Sequence, residues 1–156
     1  MINQRLITQI LAVSQGTCDR DGVLHTSFRF KTRSLTIFSY YFVMFYTFNP
    51  ATGRYVKVVP QNIPDLLTPV VLAYLIMSDG NFDIGRNRVR IYTNSFTKSD
   101  VERLASAIQS KFGINTGVLA DKKDQYIITI GAKELAKLRE LVLPHMLDSM
   151  KYRVGA

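Results

Sequence analysis

An α+β fold, with helices gathered on one face of an antiparallel sheet, is predicted by three features of the sequence. The first is the order of elements from Thr68 onward: helix, strand, helix, strand, strand, helix. The second is the strict alternation in Arg88-Val89-Arg90-Ile91-Tyr92, and the third is the stripe Val101, Leu104, Ala105, Ile108 and Phe112 at helical spacing. A length of 156 residues allows one ordinary domain with its own core, not two full ones.

Taken in order, the apolar positions Ile2, Leu6, Ile7, Ile10, Leu11 and Val13 fit a helical stripe that Gly16 would stop. Asp19-Arg20-Asp21-Gly22 reads as a turn; the Asp-x-Asp-Gly fragment lacks the further ligands of a calcium loop. Leu24–Lys31 is a strand, its later part placing Phe28 and Phe30 on one face and Ser27, Arg29 and Lys31 on the other. The aromatic run Ile37–Phe48 reads as a buried helix, with a strand as the alternative. Pro50–Gly53 turns the chain, and Tyr55–Val59 is extended up to Pro60.

Thr68-Pro69 is a helix start, because threonine caps free amides and proline suits the first helical position. The body of that helix, Val70–Met77, is apolar all round and predicts packing on more than one side. It runs to about Asp79 and halts at Gly80. The strand around Arg88–Tyr92 turns Val89 and Ile91 to a core and Arg88, Arg90 and Tyr92 away from it. Thr97 or Ser99 caps the following helix, which ends at Gly113. Strands at Thr116–Ala120 and Tyr126–Ile130 flank the polar turn Asp121–Asp124, and a last helix covers Ala132–Leu143 up to Pro144.

Lys and Arg number 20 against 12 Asp and Glu, a net charge of +8 that favours a polyanionic partner, nucleic acid foremost. Cys18 is the only cysteine, so no intramolecular disulfide forms, and His25 and His145 make no zinc spacing with it. The apolar windows Tyr40–Phe48 and Val70–Met77 fall short of the ~20 residues a helical membrane span requires. No membrane partner is expected. The amino terminus shows neither a signal-peptide pattern nor an Arg- and Ser-rich transit peptide.

Leu72-Ala73-Tyr74-Leu75-Ile76-Met77-Ser78-Asp79-Gly80 resembles the LAGLIDADG motif of homing endonucleases, in the variant of fungal mitochondrial intron-encoded members. Its surroundings are similar to that branch in order and spacing: Lys57-Val58-Val59-Pro60 and Leu67-Thr68-Pro69 before it, then Thr93–Thr97, Lys111-Phe112-Gly113 and Met150–Arg153. The resemblance covers Leu24–Val154 and implies an αββαββα half, here residues 67–156, preceded by a partial or degenerate first half, residues 1–66. Too few residues precede Leu24 to supply that half's motif helix and first hairpin in full. Ile10–Gly16 is similar to a degenerate motif, with Gln15 where the acid belongs.

The resemblance further implies a sheet that lies over the DNA major groove and a motif helix at the interface of two halves. Asp79 and Gly80 would meet a divalent metal, Mg²⁺ in particular, while Lys57 and Arg153 would lie beside the scissile phosphates. Lysine is the more usual residue at the position of Arg153, and arginine is a poor proton donor or acceptor. Arg29, Lys31, Arg86, Arg88, Arg90, Tyr92, Lys122 and Lys123 are the expected nucleic-acid contacts. With one catalytic carboxylate, the chain would need a homodimer or a separate first-half chain for cleavage. The alternative is an inactive RNA-binding derivative, such as an intron maturase. A mitochondrial location rests on the same resemblance.

Overall fold

The computed structural model describes residues 10–20, 22–32 and 35–156. The chain divides into two compact units, residues 1–43 and 44–156. In the first, strands β1 (Ile10–Arg20) and β2 (Val23–Thr32) form an antiparallel hairpin. Arg20 pairs with Val23, so the loop is two residues long, with Gly22 at φ +75° as such a tight turn requires. This corrects the helix expected over Ile2–Val13: Ile10–Val13 belongs to β1, and residues 1–9 lie outside the described set. Ile10–Gly16 is therefore strand and not a degenerate motif helix.

Helix α1 (Thr36–Phe45) follows, and strand β3 (Tyr46–Asn49) pairs with β4 (Arg54–Lys57) across the expected turn. The aromatic run is thus helix only to Phe45, and none of the helix's residues is buried, contrary to the sequence reading. Pairing of Tyr46 with Lys57 and of Phe48 with Tyr55 recruits the end of the run into a hairpin.

From the short helix α2 (Ile63–Leu66) the chain enters α3 (Pro69–Asp79). The Thr68 side chain accepts the amide of Val71 at 3.2 Å, and Pro69 occupies the first turn, where no amide partner is needed. Next come β5 (Gly80–Asp83), a 3₁₀ turn over Ile84–Arg86, β6 (Arg88–Tyr92), α4 (Lys98–Phe112), β7 (Gly117–Lys122), β8 (Gln125–Ile130) and α5 (Leu135–Val142). A 3₁₀ segment, Asp148–Val154, follows α5. The segment from α3 to α5 reads αββαββα, as the resemblance implied.

The four strands β5, β6, β8 and β7 lie side by side in that order, all antiparallel. Strand β5, which the residue pattern alone did not reveal, is the first of the two strands that the αββαββα resemblance implied after the motif helix. Alternation sends Val89, Ile91, Ile128 and Ile130 to the helical side, where they are fully buried with Leu72 and Ile76 of α3, Ile108 of α4 and Leu138 of α5. Helix α4 ends at Gly113, whose left-handed φ of +60° is strained for most other residues. Its start is fixed by Thr97, which accepts the Asp100 amide and donates to the buried Asp100 carboxylate at 2.9 Å. Arg103 joins that carboxylate at 2.7 Å and donates to the Val59 carbonyl, tying the segment after β4 to α4.

Helix α3 buries one side only. Leu72, Ala73, Ile76 and Met77 enter the core, whereas Val70, Val71 and Tyr74 are 43%, 43% and 53% exposed. The packing on more than one side that its all-apolar composition predicted is not reached among the described residues.

A motif carboxylate and a cationic sheet face

Asp79 is the last residue of α3 and is exposed. The Ser78 hydroxyl, with one proton, lies within reach of Asp79 Oδ2 at 3.1 Å and of the Tyr74 and Leu75 carbonyls at 3.0 and 3.2 Å. Gly80 is required next for space. An added Cβ would come within 2.4 Å of the Ile76 carbonyl oxygen and 2.7 Å of its Cγ2, although Gly80 itself has an ordinary extended backbone. The chain therefore leaves the helix pressed against its last turn. Glycine is needed here for space and not for an unusual backbone conformation.

The Arg153 guanidinium donates to the Gly80 carbonyl, so one predicted residue sits directly on the motif's exit. It is delivered by the closing 3₁₀ segment, which Arg139 clamps through the Val154 and Gly155 carbonyls at 2.8 and 3.0 Å. Tyr152 stacks on the guanidinium at 5.4 Å. Lys57 ends β4 and lines a cavity of about 230 Å³ with Phe45, Tyr46, Val58 and Phe96. It is exposed and forms no ion pair among the described residues.

The open side of the sheet carries Asn81 and Asp83 of β5 beside Arg90 and Arg88 of β6, in direct register. Asp83 Oδ2 accepts Arg88 Nε at 3.1 Å, meets Arg90 NH2 at 3.2 Å and has Arg86 NH1 at 3.9 Å. Burial opposes its ionisation, but the Arg88 hydrogen bond, the charges of Arg90 and Arg88 and a backbone bond from Arg86 outweigh it and hold Asp83 below the usual carboxylate range. Asp83 was not foreseen. The expected free basic face is a half-neutralised one, with Arg88 and Arg90 held and Arg86 mostly exposed.

Tyr92 lies 39% exposed on the same side as Arg88 and Arg90. Lys122 and Lys123 are exposed at the β7–β8 tip, between Asp121 and Asp124. Asn94 braces that tip by donating to Asp121 at 2.9 Å and Gln125 at 2.8 Å. The side chains of Arg29 and Lys31 lie outside the described set. Among the described residues no three His, Cys, Asp or Glu side chains gather as a metal cluster. Magnesium needs no such cluster, since one or two carboxylates with water and phosphate complete its shell.

Residues 4–138 match the model of the LAGLIDADG DNA endonuclease family. The chain belongs to that family. Among LAGLIDADG relatives, it is 28% identical over 138 residues to the cytochrome b mRNA maturase bI2 of Saccharomyces cerevisiae, covering 87% of this chain and 32% of that one. It is 32% identical over 118 residues to the DNA endonuclease I-ChuI of Chlamydomonas applanata, covering 72% of this chain and 54% of the other. This LAGLIDADG chain thus spans between about a third and about a half of the length of those two relatives. The homing endonuclease I-WcaI, solved bound to its DNA recognition sequence, shares the fold with a TM-score of 0.80 at 21% identity, over 97% of this chain and 67% of that one.

Proposed function

We propose that this chain supplies one catalytic half of a metal-dependent, site-specific DNA endonuclease, the second carboxylate coming from another copy or from a separate first-half chain. The observation that carries the proposal is the exposed carboxylate of Asp79 at the end of a helix whose outer residues, Val70, Val71 and Tyr74, are apolar and exposed. Apolar side chains in such a row favour a second helix laid against them. A two-fold arrangement through α3 brings two copies of Asp79 together.

Asp79 is a hard oxygen ligand suited to Mg²⁺; the Gly80 carbonyl, already accepting from Arg153, has a second lone pair to offer. When bound, the cation supplies charge for the phosphate oxygens and an acidified water. The chain's own residues would do the rest. Arg153, docked on the motif exit, and Lys57, with no acidic partner among the described residues, are proposed to neutralise the phosphates beside the scissile bond. Arg86, Arg88, Arg90, Tyr92, Lys122 and Lys123 are proposed to line the duplex, with Arg29 and Lys31 on the β1–β2 hairpin. Residues 1–66 are proposed as a first-half remnant, since β1, β2, α1, β3, β4 and α2 repeat the element order of the second half after its motif helix. A mitochondrial, intron-encoded origin is proposed from the kinship with a cytochrome b mRNA maturase.

The test is a mass measurement of the purified protein followed by a Mg²⁺-dependent cleavage assay with wild type and Asp79→Asn. Cleavage by the wild type that Asp79→Asn loses supports the proposal. Equal cleavage by both removes it. The second reading, an RNA-binding derivative, is favoured by the maturase relative and by the single motif carboxylate. It prevails if the wild type binds RNA tightly but never cleaves DNA, even with its natural partner.

A further inference from the structure

We infer that Asp83 is a specificity-determining residue: it fixes Arg88 and Arg90 as a rigid pair on the open sheet face, so that Arg88 reads a guanine and does not merely follow phosphates. This rests on the duplex-binding role proposed above for that face. The cross-strand register creates the arrangement, with Asp83 opposite Arg88 and Asn81 opposite Arg90, so Arg90 reaches Asp83 along the diagonal. One oxygen, Oδ2, serves both guanidiniums, at 3.1 and 3.2 Å.

The arginines of the cluster are not equivalent. Arg86 is 71% exposed in its side chain and can track any phosphate, whereas Arg88 and Arg90 are only 18% and 26% exposed. Arg88 gives its Nε to Asp83, and among the described residues no protein group takes its terminal nitrogens. A terminal N–H pair held in one orientation is the donor geometry that matches O6 and N7 of guanine in the major groove. Arg90 is differently placed, with Nε buried and lacking an acceptor. An unmade hydrogen bond of that kind is costly. Arg90 is therefore placed by charge attraction to Asp83 and supports the carboxylate that orients Arg88.

Two opposed effects follow from a carboxylate in a surface built for a polyanion. It repels phosphate and so weakens sequence-independent binding, while the orientation it imposes sharpens the choice of base. Removing it should move the two properties in opposite directions. Removing a carboxylate that only braces the sheet would lower stability and leave base choice alone.

The experiment uses the full chain and a pool of random duplex DNA from which the wild type selects its preferred sequence. Wild type, Asp83→Asn, Asp83→Ala and Arg88→Lys are then titrated, across a salt series, against the selected duplex, versions with each guanine replaced, and an unrelated duplex. The wild type should lose about tenfold at one replaced guanine. Both Asp83 variants should bind the unrelated duplex more tightly and lose most of that tenfold preference. Arg88→Lys should keep the salt slope and lose the preference, because lysine retains the charge without the fork. Asp83→Asn, nearly isosteric, carries the comparison if the alanine variant does not fold. An unaltered guanine preference in Asp83→Asn overturns this inference alone, whatever its melting temperature. A wild type that binds no duplex overturns the duplex-binding role and this inference with it.

Discussion

Asp79 and Asp83 lie one helix end and one short strand apart, and their surroundings assign them different work. Asp79 is exposed with a serine hydroxyl as its neighbour, whereas Asp83 is held by arginines on the sheet. Replacing Asp79 by Asn should abolish metal-dependent cleavage and leave nucleic-acid affinity within about twofold, because phosphate affinity comes from distributed cations; parallel cleavage and filter-binding assays check this. Asp83 gives a pH dependence instead. Its folded value is depressed below the ordinary 3.8, so its stabilising contribution is complete above that value and disappears as the pH falls through the lower folded one. Acid unfolding should therefore show wild type and Asp83→Asn converging in stability below about pH 3.8, with the gap between them constant at higher pH. The sequence made Asp79 visible because a nonapeptide with matched flanks surrounds it. Asp83 was invisible because its role depends on a strand register that no local pattern encodes.

Among the elements, α3 and α4 were readable because their boundaries are written in local chemistry: Thr68-Pro69 and Thr97 at the starts, Gly113 at the end of α4. Thr97→Ala should cost about 1–2 kcal/mol, losing a cap and a bond to buried Asp100, and Thr97→Ser much less; urea midpoints at unchanged slope measure it. Gly80→Ala should cost roughly 1–3 kcal/mol, because the new Cβ meets backbone that cannot give way without moving the helix end. The elements that escaped are those whose state is decided at a distance. Ile10–Val13 has apolar spacing that suits a helix turn or a strand, and pairing with β2 selects the strand. Nothing polar marks the change from helix to strand between Phe45 and Tyr46, where the partner residues Arg54–Lys57 draw the line. Strand β5 has four residues, too few for a period to show.

At the scale of the molecule, the order of elements, the composition and the charge all pointed to a basic α+β chain, and the αββαββα segment from α3 to α5 has that form. The apolar composition of α3 was readable; which of its sides this chain would cover was not, because that depends on packing partners. Placing a glutamate at Tyr74 should leave the fold intact, since that side chain is 53% exposed, yet block the proposed assembly. Light scattering together with cleavage would register both losses at once. The row Val70, Val71, Tyr74 also bears on how heat stability should be measured. If the partner is a second copy, burying that row ties unfolding to dissociation, and the melting temperature must climb as protein concentration is raised. If the partner is a different chain, the protein alone melts at one temperature at every dilution, and only adding the other chain raises it. A dilution series in a melting experiment thus separates self-association from a two-chain enzyme before any DNA target is known.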